Sequence, residues 1–171
     1  MAVRRRGLVA LLVALALLAH LPASAAGGPL GKADIVVVFK SQRVLELLRD
    51  GVVLKSYRIA LGRHPIGPKT RLGDGKTPEG SYVIDGRLVR TPYHLALHIS
   101  YPDALDRARA RAARVPPGGG IFIHGMPRNY GHFNLSAGIK DWTDGCIAVG
   151  NVAIEEISSA VDDGTPIDIE P

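Results

Sequence analysis

The chain has 171 residues, a net charge of +5 at neutral pH, 5% aromatic residues and a single cysteine. That length fits one domain with a core large enough to hold without staples, and a lone cysteine excludes an internal disulfide. Arg4, Arg5 and Arg6 supply three of the five net charges, with no acidic residue before position 25, so the remainder lacks the basic stripe and interleaved aromatics of a nucleic-acid binder.

Residues 1–7 carry those arginines, an apolar run follows at 8–21, and "PASAA" at 22–26 has the small residues of a cleavage site. Residues 1–25 therefore read as a secretory signal peptide, the apolar run being shorter than the ~20 residues a spanning helix needs. Export to the periplasm or cell envelope follows, with no permanent membrane span after cleavage. No cysteine lies near the cleavage site to carry a lipid.

The remaining pattern is mostly strands. Short apolar runs at 33–40, 43–49 and 52–61 read as an opening meander, with Asp50-Gly51 as one of its turns. A polar Gly/Pro-rich loop covers 62–80. Strand patterns resume at 81–85, 94–100, 121–125, 146–149 and 165–170. Two helices are expected: 102–114, opened by Pro102 and Asp103, and 151–164, with Asn151 as cap and Gly164 as stop. The fold class is mainly β, a β-rich α+β arrangement with short helices.

Several features carry less chemistry than they suggest. "GKT" at 75–77 is no P-loop, because Thr70 stands where the earlier glycine belongs and Pro78 enters where a helix should begin. The loop reads instead as a turn array or one wall of an open cleft. His94 and His98 share a strand face about 13 Å apart, too far for one tetrahedral metal, so no metal site is expected. His64 and His132 fall in polar loops. Arg107, Arg109, Arg111 and Arg114 read as a solvated helix face.

His124 and Cys146 stand out. His124 ends the apolar "IFI" and precedes Gly125, while Cys146 follows Gly145 at the head of another apolar run. Two strand ends could set imidazole and thiol side by side, the imidazole drawing the proton from a group of pKa about 8.5 to leave a thiolate. Gly145 permits a tight backbone that aims the amides of Gly145 and Cys146 at a developing oxyanion. The same spacing also fits a buried, inert cysteine, and the residues alone leave both readings open.

Four stretches in order, "GDGKTPEGSYVI" at 73–84, "LHISYP" at 97–102, "IHG" at 123–125 and "TDGC" at 143–146, resemble the L,D-transpeptidase catalytic domain, also called the YkuD domain. The likeness covers about residues 33–170. It implies a β-sandwich or barrel with one or two short helices, no cofactor, and peptidoglycan stem peptides as substrate, cut where an L-configured diamino acid joins a terminal D-amino acid. It makes Cys146 the nucleophile and His124 the general base, with the Gly125 carbonyl orienting the imidazole. The amides of Asp144, Gly145 and Cys146 become the oxyanion hole. Thr143 matches a Ser/Thr position and, with Trp142, is assigned to substrate binding, although Trp142 equally fits an aromatic packing the turn.

Two positions depart from the pattern. Asp144 stands where many members have His or Lys, and a carboxylate there tends to raise the thiol pKa. Ala148 stands where many have Arg or Asn, which removes a polar anchor. The implied reaction passes through a thioester to a 3-3 cross-link, or to attachment of another amine such as a lysine of a wall-attached protein. Water in the acceptor's place would give a carboxypeptidase or amidase. A wall-binding module that kept the fold without chemistry is the reading from another class, and retention of both His124 and Cys146 speaks against it.

Overall fold

A computed structural model describes residues 30–127 and 140–171. The expected signal peptide and His132 lie outside the described residues.

The first three strands are β1 (Ile35–Phe39), β2 (Val44–Arg49) and β3 (Val52–Arg58), joined as an antiparallel meander. Alternation explains them: Val36, Val38, Leu45 and Leu47 point into the core while their neighbours face outward. Asp50 and Gly51 both take positive φ, 51° and 74°, the two-residue hairpin turn whose twist matches the strands it joins.

Four more strands follow: β4 (Gly80–Thr91), β5 (His94–Ile99), β6 (Ile121–His124) and the two-residue β7 (Ile147–Ala148). The last, β8 (Pro166–Glu170), inserts between β1, to which it runs parallel, and β4, to which it runs antiparallel. The single eight-stranded sheet has the order β3-β2-β1-β8-β4-β5-β6-β7. This is the mainly β arrangement with two helices that the sequence implies. The sheet is open: no continuous ladder joins β3 to β7, but it curls until isolated bridges tie Ala60 to Ala148 and Gly62 to Thr143. Those bridges stand beside the residues of most chemical interest.

The helices are α1 (Ala104–Ala112) and α2 (Asn151–Ala160). A reciprocal capping box opens α1: the Asp103 carboxylate accepts from the Asp106 amide, and the Asp106 carboxylate accepts from the Asp103 amide. α2 packs on β5 and buries Ile154, Ile157 and Ala160. Two sequence expectations need correction here. Gly150, not Asn151, is the N-cap of α2, and the helix stops at Ala160, four residues before Gly164. β4 also runs on past residue 85 to Thr91, through a register shift between Ile84 and Gly86 that breaks the alternation. Among the described residues, no helix is long and apolar enough to cross a membrane.

Candidate active site

β6 and β7 pair in parallel, with Ile123 opposite Ile147 and His124 opposite Ala148. Continuing that register by one residue sets Cys146 beside Phe122, and because side chains alternate, Cys146 and His124 project from the same face as diagonal neighbours. Both line a cleft of about 530 Å³, together with Phe122, Tyr93, Trp142 and Asp144. The sheet thus brings together the imidazole and thiol that the sequence singles out.

The imidazole is buried, 5% exposed, and its Nδ1 lies 2.7 Å from the Gly125 carbonyl. A carbonyl only accepts, so Nδ1 carries the hydrogen and Nε2 keeps its lone pair. Tyr93 stacks on the ring at 4.6 Å between centroids, and Trp142 meets it edge-on at 5.8 Å. The carbonyl that fixes this tautomer is itself pinned. A Cβ on Gly125 would lie 2.6 Å from Asn151 Oδ1 and 2.9 Å from the Tyr93 carbonyl, so only glycine lets the backbone approach so closely. Asn151 Oδ1 then accepts from the Met126 amide at 2.8 Å. Its side chain, read from sequence as a helix cap, reaches across to the strand end that holds the histidine.

Thr143 organises the turn before Cys146. Its hydroxyl donates to the Cys146 carbonyl at 2.7 Å and accepts from the Gly145 amide at 3.1 Å. Both bonds lie within the turn, and Thr143 is buried. Asp141 secures the other end: Arg43 donates to both of its carboxylate oxygens, with the shortest contact 2.6 Å, and the Leu61 amide donates to Oδ1 at 2.9 Å. The sequence marks neither Arg43 nor Asp141, and offers Asn151 only as a helix cap. An isolated polar residue far along the chain gives no periodic signal of the partner it will meet.

The 62–80 loop walls the turn from behind. Asp74, its side chain largely covered, accepts from Lys69 Nζ at 2.8 Å and from the amides of Thr70, Arg71 and Lys76. Burial works to raise its pKa, but those four donors outweigh it and bring the carboxyl down to about 2. Lys40 ties the loop to β1, donating to the Gly67 and Thr77 carbonyls and to Glu79 at 2.6 Å.

Electrostatics at the site favour neutral partners. Burial pushes the Cys146 thiol above its ordinary value; the Phe122 amide and Lys69 oppose this, and Asp144 adds to it. Burial likewise lowers the His124 imidazole, against a smaller opposing effect from the Gly125 carbonyl. Burial thus works against charge on both groups and favours thiol and neutral imidazole at rest over the thiolate that proximity suggests. The thiol points toward the Gly120 carbonyl at 3.6 Å. Asp144 is exposed and paired with Arg63.

The remaining histidines take separate carboxylates: His94 meets Glu155 at 2.6 Å and His98 meets Asp85 at 2.5 Å. His64 Nδ1 bonds the Asp74 carbonyl. Among the described residues, no cluster of three or more His, Cys, Asp or Glu could hold a metal ion.

Residues 33–169 match the L,D-transpeptidase catalytic domain (YkuD) family. The chain is 29% identical over 134 residues to the Escherichia coli (strain K12) protein named "Putative L,D-transpeptidase YafK", covering 75% of this chain and 47% of that one. It thus spans about half the length of the curated relative it matches. The crystal structure of the helical cell shape determining protein Pgp2 from Campylobacter jejuni superposes with a TM-score of 0.61 at 28% identity, over 80% of this chain and 46% of that one. An L,D-transpeptidase from Mycobacterium tuberculosis shares the fold, with a TM-score of 0.54 at 20% identity, over 80% of this chain and 57% of that one. The chain belongs to the L,D-transpeptidase catalytic domain (YkuD) family.

Proposed function

We propose that this chain is an exported cysteine acyltransferase acting on peptidoglycan stem peptides. One observation carries the reading: Cys146 and an imidazole whose Nδ1 hydrogen is committed to the Gly125 carbonyl line the same cleft, which leaves Nε2 as the base.

Sγ attacks the carbonyl of the diamino acid as Nε2 takes the thiol proton, so charge develops only during attack. The imidazolium then gives that proton to the nitrogen of the departing D-amino acid as the C–N bond breaks, leaving a thioester. An acceptor amine attacks the thioester, His124 receives its proton, and the sulfur leaves to be protonated again. With an amine from a neighbouring stem the product is a 3-3 cross-link; with a lysine it is an attached protein. The amides of Asp144, Gly145 and Cys146 take the oxyanion. Of these, the Gly145 amide must first exchange its Thr143 hydroxyl partner. Trp142 walls the cleft beside the imidazole.

The test supplies a donor tetrapeptide with rising acceptor stem and weighs the products by mass spectrometry. Cross-linked dimer that grows with acceptor, and vanishes in Cys146→Ser, supports the reading. Tripeptide alone at every acceptor concentration would make the chain a hydrolase using the same two residues.

A further inference from the structure

A second cleft, of about 860 Å³, shares no lining residue with the catalytic one. His64, Arg71, Lys76 and Arg109 line it, and the one acid among its lining residues is Asp74. That carboxylate is consumed inward by Lys69 and three backbone amides. Arg109 meets an acid only at Asp106 Oδ1, 3.8 Å away and beyond hydrogen-bond distance, and its own side chain is largely exposed. Among the described residues, neither Arg71 nor Lys76 pairs with a carboxylate. Arg109, one of the α1 arginines that look merely solvated in sequence, therefore contributes to a concave surface with an excess of positive charge.

Adjacent residues of the 62–80 loop reach the two clefts. A Cβ on Gly75 would lie 2.8 Å from Arg63 Cγ and 3.0 Å from His64 Nδ1, so these residues are tightly packed. Arg63 pairs with Asp144 at the catalytic cleft, while His64 lines the cationic one. The polymer proposed as substrate is a network of peptides, and each free stem ends in a carboxylate. Guanidinium groups hold carboxylates in paired hydrogen bonds, and a second hold on one polymer raises the effective concentration of its stems at the thiol.

We infer that the cleft between the 62–80 loop and α1 is a carboxylate-binding site for a second peptidoglycan stem, distinct from the one being cut. This rests on the acyltransferase reading for its ligand, and its test does not depend on turnover. Full-length Cys146→Ser protein is sedimented with purified peptidoglycan sacculi, alone and with Arg71→Gln plus Arg109→Gln, the melting temperature confirming that each variant is folded. Retention should fall about tenfold in the double variant and further with Arg109→Glu, and should weaken as salt rises.

Three results would overturn the inference. These are equal retention of parent and charge variants, retention undiminished on sacculi stripped of their stems, or charge-dependent capture by anionic lipid vesicles in place of sacculi. Failure of the acyltransferase reading shows elsewhere, as absence of any product from the unmodified protein with soluble tetrapeptide.

Discussion

The Lys76 carbonyl sits against Gly145, so closely that a Cβ at Gly145 would lie 2.6 Å from the oxygen. Gly145 also holds φ at 139°, a conformation that side chains rarely adopt. The loop and the nucleophile's turn are thus fitted back to back without room for a methyl group. Gly145→Ala should cost roughly 1–3 kcal/mol in urea unfolding and abolish acyl-enzyme formation, because the turn must retreat from the loop to relieve the clash. An Ala variant with normal stability and turnover would show that the contact is slack.

Neutral partners at rest have a pH signature. The base must be unprotonated, and burial sets its folded pKa below the ordinary 6.5. Acyl-enzyme formation should therefore persist as pH falls through 6.5 and disappear only at lower pH, where the imidazole takes a proton. The thiol is shifted the other way, so alkylation of Cys146 by iodoacetamide should be slower at neutral pH than that of a free cysteine and should keep rising beyond the ordinary cysteine range. Rapid, pH-independent alkylation near neutrality would instead reveal a preformed thiolate.

Thr143 supplies one donor and one acceptor bond inside the turn, so its contribution is positional. Thr143→Ser should keep both bonds and most of the turnover. Thr143→Val matches the shape but strands the Gly145 amide and the Cys146 carbonyl, at a cost of about 1–3 kcal/mol. In steady-state kinetics the Val variant should lose kcat with little change in KM. A rise in KM alone would return Thr143 to direct substrate contact.

Asp74 makes the 62–80 loop sensitive to acid. Its folded pKa, about 2, is below the unfolded value of 3.8, so its contribution is complete above pH 3.8 and is lost as pH falls toward 2. The shift corresponds to about 2 kcal/mol. Asp74→Asn should remove that amount at pH 7 and flatten the decline in stability between pH 4 and 2, as read from urea titrations. An unchanged acid decline would place the sensitivity in another group.

The positions of the strands and of the reactive pair are legible in the sequence, and for one reason: both depend on near neighbours. Alternation at Val36 and Val38 marks a strand without reference to its partners, and "IHG" and "TDGC" place polar atoms at the ends of apolar runs. What holds those atoms is long-range. Asn151 meets Met126 and Arg43 meets Asp141, contacts that no local pattern anticipates. The preferred protonation of the pair does not follow from proximity, because it depends on burial, which only packing reveals. The sequence pattern ends β4 early for a related reason: the shift at Gly86 swaps the faces of the strand, and a strict period of two stops there while the ladder continues.

The bridge between Ala60 and Ala148 restricts how a peptide can be read. The Ala60 amide donates to the Ala148 carbonyl at 2.9 Å, and the Ala148 amide donates back at 2.8 Å. The outer rim of β7 is therefore already saturated by the protein's own backbone, two residues from Cys146. Under the proposed acyltransferase reading, an incoming stem would find no exposed ladder to extend at Ala148 and would descend onto the cleft from above its face. Recognition there falls to side chains, aromatic walls and the amides of one turn. Such a site gains little from a substrate's regular backbone, and its selectivity is set by the irregular features a stem peptide offers: its branching, its inverted stereocentre and its charge.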